Sequence, residues 1–226
     1  MKTLLVSLCS LLILKLTPME KTPVRYVALG DSYTICTGTT AANSWPVLLT
    51  QKLNDAKIAV TLLANPSHNG WTTQDLIDAE LPVYEKSNPD FATLLIGVND
   101  WVQGVDAKTF QKNLVYIIDK MQAKLANKSN LVLITIPDFG VTPTGAMYSN
   151  GRNISEGIAS FNKIITDEAK KRNLKTVDLF PTSKAMGKDA SLVAADGLHP
   201  SAKEYAIWET LIYPVVADVL TQSSQR

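Results

Sequence analysis

Histidine and cysteine are scarce in this chain of 226 residues, with two of each: His68 and His199, Cys9 and Cys36. Two cysteines make no disulfide framework, and no cluster of Cys and His has the spacing of a zinc site. An excess of one charge is also missing. Lys and Arg number 22 against 21 Asp and Glu, a formal net charge of +1, which gives no sign of the basic surplus expected of a nucleic-acid binder. There is no internal repeat, low-complexity tract or interdomain linker, and the composition excludes disordered and collagenous classes.

Long apolar runs are missing too, apart from the start of the chain. Lys2 precedes an apolar stretch from Leu4 to Leu14, and Lys15 closes it. The stretch is short for a bilayer span and has the charged-then-apolar order of an export signal, although no small-x-small cleavage site follows it. Residues 1–22 are therefore expected to be a signal peptide or N-terminal anchor, with Met19 as an alternative start. Export to a periplasmic or extracellular compartment follows, or a cytoplasmic location if the segment is not a working signal. No membrane domain is expected beyond this leader.

What remains, residues 24–222, is long enough to bury a core without covalent staples. Short apolar runs alternate with amphipathic ones. Strands are expected at 24–30, 58–64, 91–97, 131–136 and 174–180, and helices at 44–54, 72–87, 106–127, from 154 onward, and 201–220. Pro214 is expected to bend the last helix or break it in two. Strands alternating with helices of this size give right-handed βαβ units and a mostly parallel five-stranded sheet covered on both faces. In such sheets ligands bind beyond the carboxyl ends of the strands, and the chemistry-bearing residues fall there.

Strand one runs into Gly30-Asp31-Ser32-Tyr33-Thr34. Strand two is followed by Asn65-Pro66-Ser67-His68-Asn69-Gly70-Trp71-Thr72, and strand three by Gly97-Val98-Asn99-Asp100. Near the end lies Asp196-Gly197-Leu198-His199-Pro200. A serine hydroxyl needs a base to take its proton, and imidazole suits that task near neutral pH. The imidazole in turn needs a partner to fix its tautomer, and Asp196 is three residues away across a glycine. Acyl transfer also needs donors around a developing oxyanion; the amides of Ser32 and Gly70 and the side chain of Asn99 are candidates. Each stretch alone reads equally well as a turn or a helix cap.

Taken together, the four stretches resemble the blocks of the GDSL/SGNH hydrolases, in family order and spanning residues 30–200. GDSYT carries the first block, with tyrosine where the family name has leucine. Gly70 matches the second, GVND the third and DGLHP the fourth. The resemblance implies a flavodoxin-like three-layer α/β/α sandwich. It implies catalytic residues Ser32, Asp196 and His199, and an oxyanion hole of the Ser32 and Gly70 N–H groups and Asn99. It implies no cofactor and no metal. The expected activity is hydrolysis of short- or medium-chain carboxylic esters through an acyl-enzyme, on a small-molecule, lipid or glycan ester. Carbohydrate deacetylases, lysophospholipases and thioesterases share the fold and stand as alternatives. A glycan- or lipid-binding module is the non-enzymatic rival. Metal-assisted phosphoester hydrolysis by Asp31, Asn99, Asp196 and His199 is a rival enzyme class.

Asp31 and Asp100 are read as braces of their turns, His68 as a surface residue at the pocket edge, and Cys36 as a packed side chain. Tyr33, Trp71 and Trp101 are candidates for the pocket wall, and the loop 138–153 for shaping it.

Overall fold

The computed structural model describes residues 22–223; the expected leader therefore lies, apart from Thr22, outside the described residues. Five strands, β1 (Val24–Gly30), β2 (Val60–Ala64), β3 (Phe91–Leu95), β4 (Leu131–Ile134) and β5 (Lys175–Val177), form one sheet in the order β2-β1-β3-β4-β5. Every neighbouring pair is parallel. All residues of β3 and β4 are buried, as strands covered on both faces must be. The edge strand β2 alternates instead.

The helices α1 (Trp45–Asp55) and α5 (Ala202–Ser223) pack together, and α2 (Leu81–Ser87), α3 (Ala107–Lys124) and α4 (Ile154–Lys171) form a second group. Right-handed crossovers from this strand order put the two groups on opposite faces of the sheet. Asp106 caps α3 by accepting from the N–H groups of Lys108 and Thr109, and Asn153 caps α4 through Glu156 N–H. Between α3 and α4 the rings of Phe110 and Phe161 stack at 4.3 Å. Phe110, Leu114, Ile117, Ile118 and Met121 are each 0–1% exposed, and burying a side chain of this kind contributes about 1.5–3 kcal/mol.

Three local features differ from the sequence expectation. Strand β5 is three residues long, ending at Val177. Beyond it Thr135 Oγ1 donates to Asp178 Oδ1 and accepts the Leu179 N–H, so a side chain replaces the sheet ladder. Helix α5 runs unbroken through Pro214; fully buried Trp208, Ile212 and Val216 hold both halves to the core, which offsets the missing N–H. The segment 72–87 is not one regular helix. It opens at Thr72, capped reciprocally with Asp75, passes through a wide π turn at Leu76–Glu80, and continues as α2. Pro82 lacks an N–H and its ring crowds the preceding turn, which the wide turn accommodates. No helix among the described residues is long and apolar enough to cross a membrane.

Candidate active site

Adjacent strands β1 and β3 lead away to opposite sides of the sheet, so their carboxyl ends open a crevice. Gly30 is paired with Leu95 there. A Cβ on Gly30 would stand 2.2 Å from Leu95 O and from Thr34 Oγ1, so only glycine lets the chain fold back this tightly. Asp31 then caps the single turn Ser32–Ile35: its Oδ1 accepts the Tyr33 N–H at 3.0 Å, and its carbonyl accepts the N–H groups of Thr34 and Ile35. Behind the turn, Trp45 Nε1 donates to Tyr33 O and Asn65 Nδ2 to Thr34 O. Ser32 heads the turn with a backbone N–H that has no protein acceptor among the described residues.

The loop after β2 brings Gly70 within reach of Gln103, but Gly70 is not among the residues that line a cleft with Ser32. The Gly70 φ of +79° suits glycine, and its N–H has no protein acceptor among the described residues. Two side chains from the turn Val98–Val102 and its end hold this loop: Asn99 Nδ2 donates to Trp71 O at 2.9 Å, and Gln103 Nε2 to Gly70 O at 3.1 Å. Asn99 thus keeps one N–H free. Asp100, fully buried, accepts from both the N–H and the hydroxyl of Thr73, so it ties the Asn99 turn to the helical segment after Gly70.

From the far end of the chain, Asp196 Oδ1 accepts the N–H groups of Leu198 and His199 at 2.9 Å each, while Oδ2 meets His199 Nδ1 at 2.7 Å. A carboxylate accepts only, so Nδ1 carries the proton and Nε2 is left with its lone pair. Burial alone would raise the Asp196 carboxyl; the Leu198 N–H, the imidazole and the His199 N–H outweigh it and hold the acid below the usual range. The ring of Tyr33 meets the imidazole edge-on at 6.0 Å.

Ser32, Asn99 and His199 line one cleft of about 70 Å³ with Tyr33. Its apolar wall is Val98, Val102, Phe139, Tyr148 and Leu198. No hydrogen bond joins Ser32 to His199 among the described residues; such contacts commonly tighten only with substrate bound. The loop 138–153 supplies Phe139 and Tyr148 to the wall. Arg152 holds the loop down, its guanidinium 4.0 Å from the Trp101 ring and donating to Val102 O. Tyr33 lines the cleft. Trp101 and Trp71 do not: Trp101 is buried against Phe139 and over Gly157, where a Cβ would come within 1.8 Å of its indole nitrogen, and Trp71 stacks on the exposed ring of His68 at 4.9 Å. Cys36 is buried. Asp31, Asp196 and His199 do not gather as a metal-ligand group, and no three His, Cys, Asp or Glu do so among the described residues.

Beneath the crevice lie acids without cations. Burial pushes the Asp31 carboxyl up to about 8, against the pull of the Tyr33 N–H and with Asp100 adding to the rise. Burial likewise pushes Glu80 up to about 9, against the Gly30 N–H and with Asp31 adding. Asp100 is raised for the same reason despite its bonds to Thr73. Glu80, Thr73, Gln103 and Arg152 are absent from the sequence reading. Their roles depend on partners 27 to 51 residues away, and no local spacing marks them.

A profile of the GDSL-like Lipase/Acylhydrolase family matches residues 28–207. No curated protein sequence matches the chain. Among solved structures, a lipase/acylhydrolase from Enterococcus faecalis superposes with a TM-score of 0.71 at 22% identity, covering 86% of this chain and 96% of that one. The psychrotrophic esterase EstA from a Pseudoalteromonas species, inhibited by monoethylphosphonate, gives 0.69 at 22% identity, covering 87% and 98%. A family 3 carbohydrate esterase from Clostridium thermocellum gives 0.70 at 20% identity, covering 89% and 98%. The structural likenesses establish the shared fold. The profile, which spans the crevice residues from Gly30 to His199, establishes the relationship: this chain belongs to the GDSL-like lipase/acylhydrolase family.

Proposed function

We propose that the chain is a serine ester hydrolase of short- or medium-chain carboxylic esters, working through an acyl-enzyme. Ser32 Oγ attacks the ester carbonyl while His199 Nε2 takes its proton. The tetrahedral oxyanion is received by the N–H groups of Ser32 and Gly70 and the free N–H of Asn99. His199 then gives the proton to the departing alcohol. In the second half the same nitrogen takes a proton from water, which attacks the acyl carbon; as the tetrahedral intermediate collapses, His199 returns that proton to Ser32 Oγ, and the acid is released. Asp196 fixes the tautomer and stabilises the imidazolium.

One observation carries this reading: a tautomer-fixed imidazole shares a small cleft with a serine whose own N–H is unpaired. The apolar wall and the cleft of about 70 Å³ favour the shorter acyl groups. Export by the N-terminal segment is part of the proposal. Ser32→Ala should abolish turnover of p-nitrophenyl acetate and butyrate while the protein stays folded; wild-type-like activity would overturn the assignment. A panel of p-nitrophenyl esters of rising chain length, with acetylated sugars and lysophospholipid alongside, reads the substrate class. Preference for acetylated glycans would replace the simple-ester reading with deacetylation.

A further inference from the structure

Glu80 is a carboxylic acid in the core of the protein with no cation paired to it. It closes the π turn Leu76–Glu80, is 0% exposed, and reaches across to β1, where Oε2 accepts the N–H of Gly30 at 3.0 Å. Its Oε1 has no hydrogen-bond partner among the described residues. A core acid normally costs stability unless it is satisfied, and an apolar side chain would fill the same space more cheaply. The one bond it makes is to the residue at which the chain leaves the sheet for Ser32. Gly30 is also the register partner of Leu95 on β3. The Gly30 backbone is therefore placed by the sheet and bonded at its N–H to the Glu80 carboxyl. The turn that begins there carries both the Ser32 hydroxyl and the Ser32 N–H.

We infer that Glu80 is a positioning residue for the nucleophile turn, anchoring Gly30 N–H so that Ser32 and its N–H stand where an ester carbonyl can meet them. The inference rests on the serine-esterase reading above. The wide turn is part of the device, because it brings Glu80 and Leu81, consecutive residues, both into the core. The charge state matters as well. The titratable group acting on Glu80 is Asp31, from the strand exit, and Asp31 in turn feels Asp100 from the Asn99 turn. Among the described residues no Lys, Arg or His forms an ion pair with any of the three. A proton on Glu80 keeps the Gly30 end of the turn free of negative charge. Once that proton is lost, the charge opposes the oxyanion that the Ser32 N–H is there to receive, and kcat should fall on the alkaline side.

The test compares Glu80→Gln, Glu80→Leu and Ser32→Ala on p-nitrophenyl acetate from about pH 6 to 10, with spontaneous hydrolysis subtracted. Folding is checked by circular dichroism. Glutamine keeps the acceptor and cannot ionise, so Glu80→Gln should retain kcat at neutral pH and show a shallower alkaline fall than the wild type, the part due to Asp31 remaining. Leucine removes the acceptor, so Glu80→Leu should lose about 10–100-fold in kcat with KM little changed. A folded Glu80→Leu with wild-type kcat, or a Glu80→Gln profile superposing on the wild type at high pH, overturns the inference. If Glu80→Leu does not fold, the glutamine profile decides alone. Full activity in Ser32→Ala would instead bring down the serine reading itself. An inactive Ser32→Ala beside unaffected Glu80 variants brings down only the role of Glu80.

Discussion

Asp196→Asn is the sharpest probe of the imidazole, because the structure dictates how asparagine must sit. Asp196 Oδ1 receives two backbone donors, the N–H groups of Leu198 and His199 at 2.9 Å, while Oδ2 faces Nδ1 at 2.7 Å. Asparagine has one oxygen, and leaving it with the two backbone donors turns the NH2 group toward the ring. An NH2 donates, so Nδ1 must accept, and the proton moves to Nε2. The nitrogen proposed to take the serine proton then has no lone pair to receive it. Loss of the right tautomer lowers kcat by about 10⁴ in serine hydrolases of this logic, which is about 5.4 kcal/mol at 1.36 kcal/mol per tenfold. Folding should change far less, since both backbone bonds survive and only their charge assistance is lost, about 1 kcal/mol. The assay is kcat on p-nitrophenyl acetate, with a urea melt of the same sample. A folded Asp196→Asn enzyme within about tenfold of the wild type would refute the tautomer argument.

Three further outcomes follow from the same geometry. Asn99→Ala removes the proposed oxyanion donor and the partner of Trp71 O, and steady-state kinetics should show kcat down about 10²–10³-fold. Gly97→Ala places a Cβ 2.6 Å from the Phe110 ring at a φ of +123°; urea unfolding should show a loss of about 1–3 kcal/mol, and an unchanged midpoint would contradict the close packing. The raised carboxyls of Asp31 and Glu80, up to about 8 and 9 from ordinary values of 3.8 and 4.5, mean that the folded protein binds more protons than the unfolded chain between those limits. Stability should therefore be greatest below about pH 3.8, under both ordinary values, as far as these groups decide it. It should fall as pH rises toward 9, by about 1.4 kcal/mol per pH unit for each proton held. Glu80→Gln should lessen that slope in urea melts taken across the range, and a slope equal to the wild type would contradict the buried proton.

The five strands, the crevice at their carboxyl ends and the four loops around it are legible in the sequence because each strand and loop is written contiguously. A strand announces itself as an apolar run, and Gly-Asp-Ser or Asp-Gly-Leu-His sits where that run stops. Asp196 and His199 find each other within a single turn, so their pairing needs no knowledge of the rest of the fold. The supports beneath the crevice are different in kind. Gly30 and Glu80 are 50 residues apart, as Thr73 and Asp100 are 27 apart, and each bond exists only once the sheet has assembled. Glu80 reads locally as one more acid in a charged helical stretch, and Pro82 gives warning of a disturbed helix without saying that the disturbance is a π turn. The early end of β5 has the same origin, since it depends on a hydroxyl from Thr135 more than forty residues earlier. The continuity of α5 through Pro214 is likewise decided by the core rather than by the proline.

Ser32 as the attacking nucleophile is the claim on which the rest depends. Incubation with a p-nitrophenyl alkylphosphonate tests it directly, because Oγ attack at phosphorus expels p-nitrophenolate and leaves a stable phosphonyl-serine. Intact-mass and peptide mass spectrometry should find one adduct per chain on the peptide bearing Ser32, rising in step with the loss of esterase activity and absent from Ser32→Ala. An adduct on another residue, or activity that survives full labelling of Ser32, would contradict the account.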